Sequence, residues 1–445
     1  MSATDTIFAL STAPGRAGVA VLRVSGSRTA EAAEALSRDV LPRPRAATLK
    51  RFRDGAGAVI DRGLLLWFPA PNSFTGEDMA EFHVHGGRAV VQAMVEALAA
   101  IPGLRPAEAG EFTRRAFDNG KLDLTEVEGL ADLIDAETEA QRRQALRQME
   151  GALGARVSGW RTRLTRLLAH QEATIDFADE ELPGGLDEQV QAQTAVLADE
   201  MAATLADRGR GERLRDGLSV AIVGAPNAGK SSLLNAIAQR DAAIVAETAG
   251  TTRDIVEVHL DLGGYPVTLA DTAGLREIAA EGDAIEAEGI RRAKARAETA
   301  DLKVAVFDLA SGPNPDPATW ALVDAATVVV WNKADLVPRS AAPARGGLPV
   351  SAQTGQGLAE LLQRLESEVS SRLGFSTTAP SITRARHRHA LEEAEAALRR
   401  ALEAGLPELA AEDLRLASRA LGRITGAVDV EDLLDVIFSD FCIGK

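Results

Sequence analysis

One stretch constrains this chain more than any other: Gly224-Ala225-Pro226-Asn227-Ala228-Gly229-Lys230-Ser231, running straight on from Leu218-Ser219-Val220-Ala221-Ile222-Val223. The apolar run has the pattern of a strand buried on both faces. A G-x-x-x-x-G-K-S loop leaving such a strand turns several backbone N–H groups, and the N-terminus of the next helix, toward an anion. In that context Lys230 is expected to reach the β and γ phosphates of a nucleotide, and the Ser231 hydroxyl to ligate Mg2+. A chain this long matches the loop by accident on the order of a few per cent of the time, so the rest of the sequence has to decide.

Three further segments do so. Val267-Thr268-Leu269-Ala270 runs into Asp271-Thr272-Ala273-Gly274, whose carboxylate can hold Mg2+ through water and whose Gly274 amide can sense a γ-phosphate. Val328-Val329-Val330-Trp331 runs into Asn332-Lys333-Ala334-Asp335. The Asp335 carboxylate can accept hydrogen bonds from guanine N1–H and the N2 amino group. Adenine offers no such donor pair, so a buried carboxylate there selects GTP over ATP. Leu348-Pro349-Val350 leads to Ser351-Ala352-Gln353, where a backbone N–H can meet guanine O6. Each motif alone is weak. In this order, each at the C-terminal end of a strand, they specify a Ras-like doubly wound G domain that binds and hydrolyses GTP.

Two segments bear on hydrolysis. Between the first two motifs lies Ala249-Gly250-Thr251-Thr252-Arg253-Asp254, from which Thr252 is expected to close over the nucleotide and complete the magnesium shell. Leu275 follows Gly274, where Ras-type enzymes carry the glutamine that orients water, so another group must do that work. The acidic run from Glu281 to Ile290 supplies carboxylates; no arginine finger is evident, Arg253 and Arg276 being candidates whose plainer reading is structural.

The remainder of the 445 residues calls for further domains. Residues 1–118 mix strand-like runs (Val19 to Val24, Leu64 to Phe68) with a core helix over Ala89 to Ala100. From Asp123 to Asp207 the apolar spacing is helical, broken at Leu182-Pro183-Gly184-Gly185, and Arg384 to Phe441 is helical again. That tail cannot bury a good core alone, so it is expected to pack on the helices of 123–207, leaving the G domain as an insertion. The resulting division is 1–118, an α+β domain; 119–213, helical; 214–375, the G domain; and 376–445, helical. A formal net charge of −16 means that any RNA must be met by a local basic patch or through a partner, and Arg384-Ala385-Arg386-His387-Arg388-His389 is the candidate patch. The single cysteine, Cys442, excludes an intrachain disulfide framework. With no basic leader and no apolar stretch of membrane-spanning length, a soluble cytoplasmic protein without membrane contact is expected.

These residues resemble the bacterial tRNA modification GTPase family MnmE (TrmE) along the whole chain. The resemblance rests on Asp5-Thr6-Ile7, Pro14-Gly15-Arg16, Arg23-Val24-Ser25-Gly26, Pro71 to Asp78, His85-Gly86-Gly87, Gly110-Glu111-Phe112-Thr113, Lys121-Leu122-Asp123-Leu124 and Ala131 to Ala136. Gly250-Thr251-Thr252-Arg253-Asp254 resembles the family's switch, and Phe441-Cys442-Ile443-Gly444-Lys445 its C-terminal end. The resemblance implies a tetrahydrofolate-binding, dimerising N-terminal domain, with Arg23, Glu81, Lys121 and Lys445 around a 5-formyl or 5,10-methylene derivative. It implies a potassium-dependent GTPase, K+ being held by Asn227, Ala246, Thr248 and Thr251 and supplying the charge of an arginine finger. Further nucleotide contacts fall on Ser232 and on Ala246-Glu247-Thr248-Ala249, and Glu286 takes the role of orienting water. The implied assembly is a homodimer joined to a FAD-containing MnmG-type protein in a heterotetramer. It installs an aminomethyl or carboxymethylaminomethyl group at C5 of the tRNA wobble uridine. Cys442 could take part in that chemistry; as a lone cysteine between Phe441 and Ile443, the plainer expectation is a small buried hydrophobe. The competing expectation is an RNA-binding regulatory or ribosome-assembly GTPase, which would have no use for a folate pocket.

Overall fold

A computed structural model describes residues 5–176, 186–207, 209–240, 243–244, 257–271, 299–312, 314–338, 345–373 and 382–428, together with 434, 437, 438, 441 and 444. In chain order the first elements are β1 (Thr6–Leu10), β2 (Ala17–Ser25), α1 (Thr29–Ser37), β3 (Thr48–Arg53), β4 (Val59–Phe68), β5 (Met79–Gly86), α2 (Arg88–Ala99), β6 (Leu104–Pro106) and α3 (Glu111–Asp118). Helices α4 (Leu124–Asp135), α5 (Glu139–Met149), α6 (Ala152–Asp176), α7 (Leu186–Leu205) and α8 (Arg210–Asp216) follow. Next come β7 (Leu218–Gly224), α9 (Lys230–Ala238), β8 (Ala243–Ile244), β9 (Glu257–Leu262), β10 (Tyr265–Asp271), β11 (Leu302–Asp308), α10 (Pro317–Trp320), β12 (Thr327–Asn332) and β13 (Leu348–Pro349). The last are α11 (Leu358–Leu373), α12 (Ala385–Glu403) and α13 (Pro407–Thr425).

The chain divides into two compact units, one of residues 1–131, 148–179 and 407–445, the other of 132–147 and 180–406. In the first, a six-stranded sheet in the order β3-β4-β5-β2-β1-β6 is antiparallel except for the parallel pair β1–β6. Alternation along β2 sends Ala20, Leu22 and Val24 to one face, where they pack with Phe52, Leu65, Phe82 and the apolar sides of α1 and α2. Arg23 and Ser25 point to the other face. Helix α13 packs on α6 in this unit, and Arg415 of α13 bonds Glu172 of α6 at 2.7 Å.

In the second unit the sheet order is β13-β12-β11-β7-β10-β9-β8, parallel through β13-β12-β11-β7-β10, with β9 and β8 antiparallel at one edge. Its strands are near-continuous apolar runs because both faces are covered. Ile222, Leu269 and Val304 lie in one buried cluster with α9 and α11, and Val223, Phe307 and Trp331 in the other. This is the doubly wound arrangement the motifs called for. Helix α12 packs on α7, so the sheet's strands fall in the chain between two helices that pack together.

Helix α5 has a sequence-specified start. Thr138 and Gln141 cap one another reciprocally: the Thr138 amide donates to Gln141 Oε1 (3.1 Å), and the Gln141 amide to Thr138 Oγ1 (3.4 Å). The Ala140 amide then donates to Gly264 O (3.1 Å), at the turn joining β9 to β10. No helix among the described residues is long and apolar enough to cross a membrane.

Candidate functional site

The phosphate loop needs backbone conformations that few residues accept. Asn227 and Gly229 have φ of 64° and 89°, in the left-handed region. A Cβ at Gly229 would lie 2.2 Å from Asn332 Nδ2, and one at Gly224 2.4 Å from Val306 O, so the loop closes on its neighbours only as glycine. Helix α9 starts at Lys230, with Leu233, Leu234 and Ile237 buried beneath the sheet-facing side. The Lys230 side chain is 7% exposed, and its Nζ donates to Gly224 O and Ala225 O, each at 3.0 Å. The ammonium is therefore held over the rim of the loop by carbonyls, weak partners that an anion in the loop can replace. Ser231 and Ser232 are exposed at the start of the helix.

Asn332 joins this loop to the segments that the sequence assigns to the base. Its Nδ2 donates to Ala228 O (3.0 Å) and Gly229 O (3.4 Å), and its Oδ1 accepts from the Ala352 amide (3.1 Å). One buried side chain thus fixes the distance between the phosphate loop and the Ser351-Ala352-Gln353 loop. Trp331, fully buried with its indole N–H on Gly346 O (2.8 Å), holds the strand end from which Asn332 projects. Lys333 is left-handed (φ 63°), and its ammonium reaches Asp308 Oδ2 at 2.6 Å. Burial pushes the Asp308 carboxyl up, but hydrogen bonds from Lys333, Ser311 and the Ala310 amide outweigh it and keep its pKa below the ordinary value. Asp335 is exposed in the turn that follows, free of the sheet. Ser351 is fully buried, its Oγ accepting from the Thr354 amide (3.1 Å). Of Asp271 only the strand-end backbone is described. Ala246, Glu247, Thr248, Ala249, Gly250, Thr251, Thr252, Thr272, Ala273, Gly274 and Glu286, with Arg253, Leu275 and Arg276, lie outside the described residues.

The second candidate region is the open face of the first sheet. Arg23 on β2 and Glu81 on β5 are paired in register, and Arg23 Nη2 and Nε donate to Glu81 Oε1 at 2.9 and 3.2 Å. His83, two residues along the same strand face, has its Nε2 3.2 Å from Glu81 Oε2. The Arg23 guanidinium lies 5.5 Å from the Phe74 ring centre and 5.9 Å from that of Phe112. A half-buried cation between two aromatic rings, beside a carboxylate and an imidazole, suits a flat ring with a polar edge and an acidic substituent. Lys121 belongs to the same neighbourhood through the 71–77 loop. Its Nζ donates to Pro71 O (3.1 Å), its neighbour Asn119 donates to Thr75 O (2.7 Å), and Phe74 of that loop lies against Arg23. Lys445 and Cys442 fall outside the described residues. Gly444, however, sits on the end of β1: Ser11 Oγ donates to Gly444 O at 3.0 Å, and a Cβ at Gly444 would lie 2.3 Å from Leu10 O. Leu10 pairs with Leu22, next to Arg23.

The sequence reading missed His83, Phe74 and Phe112 as neighbours of Arg23. The period-two spacing of Glu81 and His83 was a usable signal; the rings were not, since they come from distant segments. It also missed the polar support below. Ser25 Oγ bonds Thr75 Oγ1 (2.7 Å) and Glu77 Oε2 (2.8 Å), Arg115 bonds Glu77 (3.0 Å) and Glu111 (3.1 Å), and Arg105 bonds Glu111 (2.6 Å). Glu111 is only 6% exposed. Burial raises its carboxyl, yet Arg105, the Glu108 amide and Arg115 together hold its pKa below the ordinary value. The basic run at 384–389 is used differently from its expected role. Arg384 bonds Asp132 (2.7 Å), and Arg388 bonds Asp207 (2.7 Å) and Glu212 (3.0 Å), so these charges are spent inside the fold.

Two family models match the chain: that of the GTP-binding protein TrmE N-terminus over residues 6–121, and that of the MnmE helical domain over 124–442. Relatives named tRNA modification GTPase MnmE include one from Parvibaculum lavamentivorans, 60% identical over 449 residues, covering 99% of this chain and all of the relative. Another, from Paramagnetospirillum magneticum, is 58% identical over 446 residues with 99% and 100% covered, and one from Rhodospirillum rubrum is 58% identical over 457 residues with 99% of each covered. On identity sustained over nearly its whole length, this chain belongs to the MnmE (TrmE) family of tRNA modification GTPases.

Proposed function

We propose that this chain hydrolyses GTP to drive modification of the tRNA wobble uridine, working as a homodimer with a FAD-containing MnmG-type protein in a cytoplasmic heterotetramer. The reaction adds an aminomethyl or carboxymethylaminomethyl group at C5, with its one-carbon unit from a tetrahydrofolate derivative. The observation that carries the reading is the Asn332 bridge, which ties Ala228 of the phosphate loop to Ala352 of the base loop. It holds the proposed phosphate and base contacts beside one another on the C-terminal ends of the parallel strands.

The residues then divide the work. The Asn227 to Ser232 loop and Lys230 bind the phosphates, and Asp335 accepts from the guanine donors while the Ser351-Ala352-Gln353 backbone faces its O6. Ser231 and Thr252 are the proposed Mg2+ ligands, and Asn227, Ala246, Thr248 and Thr251 the K+ ligands. Bound there, the two ions offset charge that builds on the phosphate oxygens. Glu286 orients the attacking water. In the N-terminal unit, Arg23, Lys121 and Lys445 suit the acidic tail of folate and Glu81 the donor edge of its pterin. Cys442, three residues before Lys445 in the sequence, is proposed for the modification step.

Wobble-uridine analysis of tRNA from cells lacking this protein is the direct test. Unmodified C5 is expected, and full modification would refute the assignment. In vitro, hydrolysis should be faster in K+ than in Na+, and Glu286→Ala should keep GTP affinity while slowing turnover.

A further inference from the structure

The open face of the first sheet holds an imidazole that the folate assignment leaves without a role. His83 lies on β5, paired in register with Val21 of β2 on one side and Leu64 of β4 on the other. Directly paired residues of antiparallel strands share a face, so aliphatic side chains flank the ring and offer it no hydrogen bond. Two residues along the same strand, Glu81 is flanked by Arg23 and Leu66. Residues i and i+2 of a strand also share a face, roughly 6.5 Å apart, within reach for an imidazole and a carboxylate. His83 Nε2 lies 3.2 Å from Glu81 Oε2. With side-chain exposures of 28% and 16%, the pair is better shielded than an open surface contact, whose worth is small.

The two oxygens of Glu81 have different partners. Oε1 accepts from both Nε and Nη2 of Arg23, at 3.2 and 2.9 Å, and Oε2 faces His83. An ionised carboxylate only accepts hydrogen bonds, so the ring nitrogen beside it carries the proton whether the imidazole is neutral or charged. The terminal torsion of a glutamate is broad, with no sharp rotamer to fix the carboxylate plane. Arg23 grips one oxygen alone, which leaves the group able to turn about that point. His83 supplies the second point, and the plane is set. A pterin presents two adjacent donors, its ring amide N–H and its 2-amino group. A carboxylate meets both when its two oxygens lie in the plane of the ring.

We infer that His83 is a positioning residue for tetrahydrofolate recognition: it donates to Glu81 Oε2 and orients that carboxylate toward the donor edge of the pterin, sharpening selection for the 2-amino group. The inference rests on the proposed folate role of this face. It adds to that reading a residue that acts through Glu81 and not on the ligand itself.

The test is calorimetric binding of 5-formyltetrahydrofolate, and of its analogue without the 2-amino group, to the full chain as wild type, His83→Leu and His83→Gln. Leucine fills the position without a donor and suits a strand beside Val21 and Leu64; glutamine restores an N–H donor. His83→Leu should bind 5-formyltetrahydrofolate about tenfold more weakly, the scale of one hydrogen bond to a charged group. The analogue offers Glu81 one donor fewer and should lose only about twofold, so the preference for the 2-amino group falls about fivefold. His83→Gln should recover most of both. Because the ratio of the two ligands is read within each variant, a smaller folded fraction leaves it unmoved. Should the leucine variant not fold at all, His83→Val, another strand former without a donor, takes its place. Equal losses on both ligands would make His83 a mere support of the strand and overturn the inference. So would unchanged affinity in His83→Leu, or a His83→Gln that binds no better than His83→Leu. A wild-type chain that binds no 5-formyltetrahydrofolate would remove the folate assignment itself and this inference with it. Wild-type binding with unmoved variants removes only the role of His83.

Discussion

In the phosphate loop the working residues are consecutive, 224 to 232, and one strand and one helix aim them. Around Arg23 the working residues come from four separate segments: Arg23 from β2, Phe74 from a loop, Glu81 and His83 from β5, and Phe112 from α3. The first site is specified by local backbone geometry, chiefly the left-handed Asn227 and Gly229 and the N-terminus of α9. The second exists only through the register of β2 against β5 and the seating of the 71–77 loop. A local site should fail through its own residues, and a distributed one through its scaffold as well.

Lys230→Ala should have the largest effect, slowing single-turnover GTP hydrolysis about a thousandfold, the scale of losing a preorganised charge at the reacting phosphates. If the two regions are independent sites, tetrahydrofolate binding by the same variant stays at the wild-type level in calorimetry. Asp335→Asn should weaken GTP binding about a hundredfold, from roughly 3 kcal/mol of charge-assisted hydrogen bonding. It should favour xanthosine triphosphate, whose ring carries an oxygen where guanine carries the amino group. Competition between the two nucleotides measures the switch, and an unchanged preference would remove Asp335 from the base site.

Glu111→Gln probes the scaffold and not a ligand contact. It breaks the pairs to Arg105 and Arg115 and should cost about 2 kcal/mol of stability, below what a fully buried pair costs because Arg105 is partly exposed. The sign with pH follows from a folded pKa below the unfolded one. The stabilisation is present above the unfolded value of about 4.3 and is lost as pH falls through the folded value. Urea unfolding followed downward from neutral pH should therefore show a smaller acid-side loss in the variant; parallel curves would mean that Glu111 contributes no linkage. Arg23→Ala should have the smallest effect, about tenfold weaker tetrahydrofolate binding for one partly exposed charge contact. GTP turnover in the absence of folate should not move.

The same division explains what could be read in advance. The doubly wound sheet, the order of its motifs and the nucleotide loop were legible, because each motif is a short run whose backbone geometry its own glycines and apolar residues impose. Pairing was not legible. The basic run at 384–389 reads as a patch of positive charge, yet Asp132, Asp207 and Glu212, far away in the chain, pair with its Arg384 and Arg388.

By itself, then, the sequence determined where the phosphate loop lies, since its conformation is a property of eight neighbouring residues. Only the tertiary structure decided that Asn332 spans the two halves of that site, and that Phe74 and Phe112 flank Arg23. It alone decided that Arg384 and Arg388 pair with acids remote in the chain. Those facts are distances between residues remote in the chain, set by strand register and helix packing, and no local run of residues encodes them.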